Sequence, residues 1–355
     1  MAFAAPDHTF EKRDGNYETL SNGSTVIWVI DDVYQGSTFF DAFGFYTGPD
    51  PTHFLDANDS FSSGLAYVQD DGKVIMKGDD TTQLAYGANR NSVRISSYKQ
   101  YNGGLFILDV DRAPWGCGVW PAWWTLGDGT WPYTGEIDII EGVHANEHNQ
   151  VTWHTAPGCN VTQPNTFSGT IGVMDNWSCD ATNGQGGCGI IEWSRSSYGP
   201  YFDSIGGGVF AMKWNADGIS VWSFYRSAVP ADIVSGEPNP SGWGEPVAAL
   251  SSEGCELSNY FMNHSIIFDI TFCGDWAGNS YATSGCPGTC QQQIMDPANF
   301  VNASWIINWM KVYKEEMISG NASNAAPRRL ATSLVFESRW TWVLGALSSV
   351  AWFVL

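Results

Sequence analysis

Apolar positions along this chain recur in short runs, not in long helical stripes. The runs at 73–77, 92–96, 105–110, 150–155, 209–214, 219–225, 266–272 and 306–313 are rich in β-branched and aromatic residues. Gly, Asn, Asp and Pro turns separate them, which predicts a series of short strands. A five-residue run at 26–30 predicts a first strand. In 219–225, Trp222 and Phe224 share one side while Ile219, Val221 and Tyr225 share the other. Both sides being apolar predicts a strand covered on two faces. No helical period appears before the carboxyl tail, and no repeat of fixed length. Many short strands with turn residues between them predict an all-β sandwich or jelly roll. No linker interrupts residues 20–315, so they read as one domain.

One strand-like segment carries three acids within six residues. It runs Gly135-Glu136-Ile137-Asp138-Ile139-Ile140-Glu141-Gly142. Acids and aliphatics alternate through 136–139, so Glu136 and Asp138 share a face and Ile137 and Ile139 point to a core. Strict alternation would turn Glu141 to the isoleucine face. One extra residue, a β-bulge at Ile139–Ile140, would return it to the side of Asp138. Like charges this close cannot all ionise cheaply, so one stays protonated near neutral pH and can act as an acid. Cleaving a glycosidic bond needs that division between an acid and a carboxylate. Carboxyls about 5–5.5 Å apart imply a covalent intermediate with retention. An exposed strand face or a calcium cluster would present similar acids. The flanks favour the cleft: Trp120, Trp123, Trp124, Trp131 and Tyr133 lie upstream and His154 downstream. If the upstream segment is extended, only one of Trp123 and Trp124 can face it.

Composition sharpens this picture. The chain has 18 Trp, 14 Tyr and 19 Phe among 355 residues, an excess of Trp of which a Trp-rich β core accounts for about half. Indole rings stack on sugar faces, and charged residues are scarce at 15%. The net charge of −21 opposes binding to nucleic acid or anionic membrane and tolerates a neutral polysaccharide. Eight cysteines in an even count predict disulfides and an oxidising compartment. Cys179 and Cys188 form the most local pair. The Cys286-Pro-Gly-Thr-Cys290 stretch lacks the spacing and companions of a zinc site. Sequons at Asn22, Asn58, Asn160, Asn176, Asn263, Asn302 and Asn321 favour the secretory route. No metal or cofactor is expected, and the chain reads as a monomer.

The two ends pull in different directions. After Arg339 the last 16 residues carry no charge, too few for a membrane span. Small residues at 323–326, a spacer and this tail have the layout of a glycolipid (GPI) anchor signal. Residues 316–355 therefore read as a stalk plus tail, with an extracellular or cell-surface location. Residues 1–17 show no apolar run of leader length, so the secretion reading takes a leader to be missing from this version of the sequence. Residues 1–33 read as a poorly defined segment before the domain at 34–315.

The segment 135–143 resembles the active-site strand of glycoside hydrolase family 16 in its bulged E-x-D-x-x-E form. Blocks at 37–51, 91–95, 116–123, 154–159, 206–222 and 272–290 extend the likeness over roughly 34–313, closest to fungal endo-1,3(4)-β-glucanases of the laminarinase type. The resemblance implies a concanavalin A-like β-jelly roll with a concave cleft that takes β-glucan. It implies Glu136 as nucleophile, Glu141 as acid/base and Asp138 as the residue that tunes their charge. It places His154 on the neighbouring strand, lining the cleft, and makes Trp120, Trp124 and Trp131 candidate sugar platforms. The same two glutamates would serve hydrolysis or transfer of the glycosyl unit to a second sugar. A glucan-binding module without catalysis is the third reading.

Overall fold

The computed structural model describes residues 17–317, apart from 21–22, 49, 164–165, 173–175, 183 and 185. Two antiparallel sheets lie face to face in a β-jelly roll. The first is a curled sheet of eight strands. Its order is Thr170–Ile171, Cys188–Ile191, Gln150–His154, Glu136–Glu141, Val119–Gly127, His264–Phe272, Arg94–Tyr101 and Phe43–Phe45. The second has nine strands. Its path is Glu18–Thr19, Thr25–Tyr34, Ser304–Met317, Gly104–Arg112, Gly208–Asn215, Gly218–Tyr225 and Ala248–Ser251, with Val74–Lys77 also on Ser304–Met317 and Ala66–Val68 beyond it.

Alternation decides what lies between the sheets. Trp123, Ile137, Trp153, Ile266, Phe268 and Ile270 come from the first sheet, and Phe106, Leu108, Val110, Phe210 and Met212 from the second. Each such side chain contributes about 1.5–3 kcal/mol by leaving water. Phe268 joins the layers, stacked on Trp123 at 6.1 Å and edge-on to Trp305 at 5.5 Å.

The outer face of the second sheet is apolar too. Leu105, Ile107, Val209 and Ala211 point outward and are covered by Ile233, with Val229 and Trp243 beside it. This gives Gly218–Tyr225 its two apolar sides. Ile219 and Val221 enter the main core, while Trp222 and Phe224 meet Trp243. Tyr225, at the strand's end, is 48% exposed and escapes the alternation.

The strand expected at 26–30 lies within Thr25–Tyr34, which pairs along Ser304–Met317. Residues 25–33 are therefore part of the sandwich and not of an ill-defined leading segment, because Val26 and Trp28 are buried in it. The stalk and tail from 318 onward, with Asn321, lie outside the described residues, as do residues 1–16 and Asn22. Among the described residues no helix is long and apolar enough to cross a membrane.

All eight cysteines are paired: Cys117–Cys286, Cys159–Cys255, Cys179–Cys188 and Cys273–Cys290. The local pair is the one expected. The two cysteines of the 286–290 stretch take different partners, one just before Val119–Gly127 and one just after His264–Phe272.

Candidate active site

The acidic strand Glu136–Glu141 sits near the middle of the curled sheet, between Gln150–His154 and Val119–Gly127. Glycines bound it for steric reasons. Gly135 has φ +81°, and a Cβ there would lie 2.4 Å from Phe261 Cδ1. A Cβ on Gly142 would lie 2.8 Å from the Tyr198 ring.

The bulge is present. Asp138 pairs with Thr152 and Glu141 with Gln150, so Ile139 and Ile140 together oppose Val151 alone. On the other side Trp123 pairs with Ile140 and Trp124 with Asp138, skipping Ile139. Ile137, Ile139 and Ile140 are all fully buried in the core. Glu141 thereby returns to the face of Glu136 and Asp138, turned away from the isoleucines.

Each acid has its own partner. The Trp131 indole donates to Glu136 Oε2 at 2.7 Å. The Trp120 indole donates to Glu141 Oε1 at 2.8 Å. His154 Nε2 lies 3.0 Å from Asp138 Oδ2 and 3.7 Å from Glu136 Oε1. Burial, then the charge of Asp138, pushes Glu136 up to about 7, against the pull of His154, Trp131 and Arg94. The same two causes lift Glu141 well above the carboxylate range, opposed by Trp120 and His154. Burial works against a charged His154, but the hydrogen bond to Asp138 and the field of the three acids outweigh it and raise it to about 9. A cation at His154 faces Glu136 more directly than Glu141. Both glutamates are thus held towards the protonated form, with the counter-charge of His154 closer to Glu136.

The seven residues singled out from sequence come together on this face. Trp124 is the tryptophan of its pair that faces the acids, and Trp123 is fully buried behind. Trp124 is only 8% exposed, held by a bond from its indole to Asp269 Oδ2 at 3.1 Å and covered by the Arg94 guanidinium at 4.9 Å. It is floor more than wall. Trp131 is 48% exposed and stands 6.0 Å from the His154 ring. Trp120 meets Trp276 edge-on at 6.1 Å.

Ligand atoms of Glu136, Asp138 and His154 fall within 4.8 Å of one another, close enough to hold a cation. A histidine held protonated beside Asp138 competes with that use.

Sequence reasoning passed over Asp269, Arg94 and Asn149. Asp269 is pushed up to about 7 by burial, against Arg94 and Trp124. Its signal was an acid inside the apolar run Phe268-Asp269-Ile270. Asn149 is fully buried behind the bulge, where its side chain bonds the backbone.

Comparison with known proteins agrees with this geometry. Residues 43–313 match the family model described as XgeA-like, catalytic GH16 domain. A probable glycosidase of Schizosaccharomyces pombe is 44% identical over 288 residues, covering 79% of this chain and 68% of that protein. A probable endo-1,3(4)-β-glucanase of Aspergillus flavus is 37% identical over 335 residues, covering 90% of this chain but 49% of its own. The chain thus spans about two thirds of the first relative and about half of the second. Laminarinase 16A of Phanerochaete chrysosporium, solved with 6-O-glucosyl-laminaritriose in donor and acceptor sites, superimposes with a TM-score of 0.77 at 38% identity, over 81% of this chain and 99% of that one. An elongating GH family 16 β-1,3-glucosyltransferase gives 0.76 at 36% identity, over 81% and 100%. With the family model, the relatives and the acid-bearing strand in agreement, the chain belongs to glycoside hydrolase family 16 and is a glycoside hydrolase.

Proposed function

We propose that the protein is a retaining endo-β-glucanase that hydrolyses 1,3- and mixed 1,3/1,4-linked β-glucan through a glycosyl-enzyme. The observation that carries this reading is the bulge. It sets two glutamates on one face of one strand, with Asp138 between them and a different indole on each. In the first step the Glu136 carboxylate attacks the anomeric carbon while Glu141 gives its proton to the departing glycosidic oxygen. In the second, Glu141 as carboxylate takes a proton from water, the water oxygen bonds to the anomeric carbon, and Glu136 leaves. Asp138 and His154 set the charge between the two steps. Trp120 and Trp131 touch the acids and offer ring faces to the sugar.

The substrate class rests on the relatives named endo-1,3(4)-β-glucanases and on the laminarinase with its bound β-glucans. The glucosyltransferase neighbour favours a second reading, in which a sugar hydroxyl replaces water at the glycosyl-enzyme. Four disulfides support an oxidising location outside the cytosol.

The test is release of reducing ends from laminarin and lichenan by wild type and Glu136→Gln. Wild type is expected to cut laminarin, and the variant to lose at least about a thousandfold while keeping its Tm. Equal activity in the variant would remove Glu136 from the mechanism. Lengthened oligosaccharides without net reducing ends would select the transfer reading.

A further inference from the structure

The bulge that places Glu141 carries a cost. Two residues facing one cannot keep the ladder regular, so backbone groups lose their strand partners there. Those groups have a partner of another kind. The Glu141 N–H donates to Asn149 Oδ1 at 2.9 Å, and Asn149 Nδ2 donates to the Ile139 carbonyl at 2.9 Å. The two bonds meet the bulged strand on either side of Ile140. A carboxamide has one acceptor and one donor end, like a peptide unit, and so fills the gap in the ladder with the polarity the ladder would have. The orientation of the amide is fixed, because the flipped form would set N–H against N–H and O against O.

Asn149 is itself immobilised. It is fully buried. Its N–H donates to Ser197 Oγ at 3.0 Å, and its carbonyl accepts from the Glu192 N–H at 2.9 Å. Ser197 Oγ in turn donates to the Ser194 carbonyl. Every polar group of Asn149 is engaged, two on the bulge and two on the 192–197 segment. The clamp therefore joins Glu141 to a part of the chain that carries none of the acids.

We infer that Asn149 is a positioning residue for the acid/base: its side chain completes the bulged strand and fixes where Glu141 points, without touching the sugar. This rests on the reading of Glu141 as acid/base given above. Glu136 and Asp138 lie before the bulge, opposite His154 and Thr152, and the Asn149 side chain bonds neither of them, whereas it holds the backbone N–H of Glu141 itself. Loss of the clamp should therefore damage the proton transfer selectively and leave the nucleophile serviceable.

That selectivity is measurable. Laminarin departs as an alkoxide and needs a proton; a 2,4-dinitrophenyl β-glycoside of a short 1,3-linked glucan departs without one. The value of kcat/KM reports the first step for both, and its ratio between the substrates does not depend on how much protein is folded. Glu141→Ala should lose on the order of a thousandfold on laminarin and less than about tenfold on the dinitrophenyl glycoside. Asn149→Ala and Asn149→Asp should shift the ratio the same way, by about tenfold or more, with KM for laminarin changed less than about threefold. Ser197→Ala, which frees only the backbone anchor, should give a smaller shift in that direction and serves if the Asn149 variants fold poorly. If the Asn149 and Ser197 variants lose both substrates in equal proportion, or neither, the inference is overturned and Asn149 is a structural residue alone. If Glu141→Ala itself leaves the ratio unmoved, the acid/base assignment fails first and the inference falls with it.

Discussion

Trp120 and Trp131 each direct an indole N–H at one glutamate, and such a bond favours the ionised carboxylate. Removing either should raise the pKa of the acid it serves. On the proposed roles activity requires Glu136 ionised and Glu141 protonated, so it rises with pH as Glu136, pushed up to about 7, loses its proton and falls as Glu141, raised as well, loses its own. Trp131→Phe should move the acid limb of kcat/KM to higher pH, and Trp120→Phe should move the alkaline limb to higher pH. Profiles that shift on the same limb in both variants would contradict the division of roles. At this scale the acids were legible because three charges interrupt an aliphatic alternation within six residues. Asp269, Arg94 and Asn149 were not. Asp269 and Arg94 reach the site only through pairing with strands far away in sequence, and Asn149 works through a backbone irregularity that sequence does not display.

Among elements, the acidic strand is closely packed at both ends, by Phe261 at Gly135 and by Tyr198 at Gly142. Gly142 ends it against the Tyr198 ring, whose hydroxyl is bonded to the Pro114 carbonyl at 2.8 Å in a fully buried position. That ring has nowhere to retreat. Gly142→Ala should cost roughly 1–3 kcal/mol as overpacking and lower Tm by several degrees. Turnover should fall further than stability does, because the displaced backbone lies one residue from Glu141. An unchanged Tm and rate would show that the strand's end is not held there. Strand positions were readable because each run is short, rich in β-branched and aromatic residues, and bounded by turn residues. The two-sided burial of Gly218–Tyr225 was readable as well, but its cover was not. The short helix Ala231–Ser235 and Trp243 have no pattern long enough to announce what they pack on.

For the molecule as a whole, the jelly roll followed from many short strands and the absence of helical period, while sheet order did not, since neighbours such as Val119–Gly127 and His264–Phe272 are remote in the chain. Cysteine pairing beyond the local Cys179–Cys188 was equally out of reach, because it depends on that order. The pairing has a consequence for how the enzyme would age. Cys117–Cys286 encloses most of the cleft, and Cys273–Cys290 overlaps its far end. Any single peptide bond broken between residues 117 and 290 therefore leaves the two pieces covalently joined. A protease nick in a surface loop would pass unseen on a denaturing gel without reductant and appear as two fragments once thiol is added. An enzyme exposed to foreign proteases could be cut in this way and still hold its catalytic strand in place.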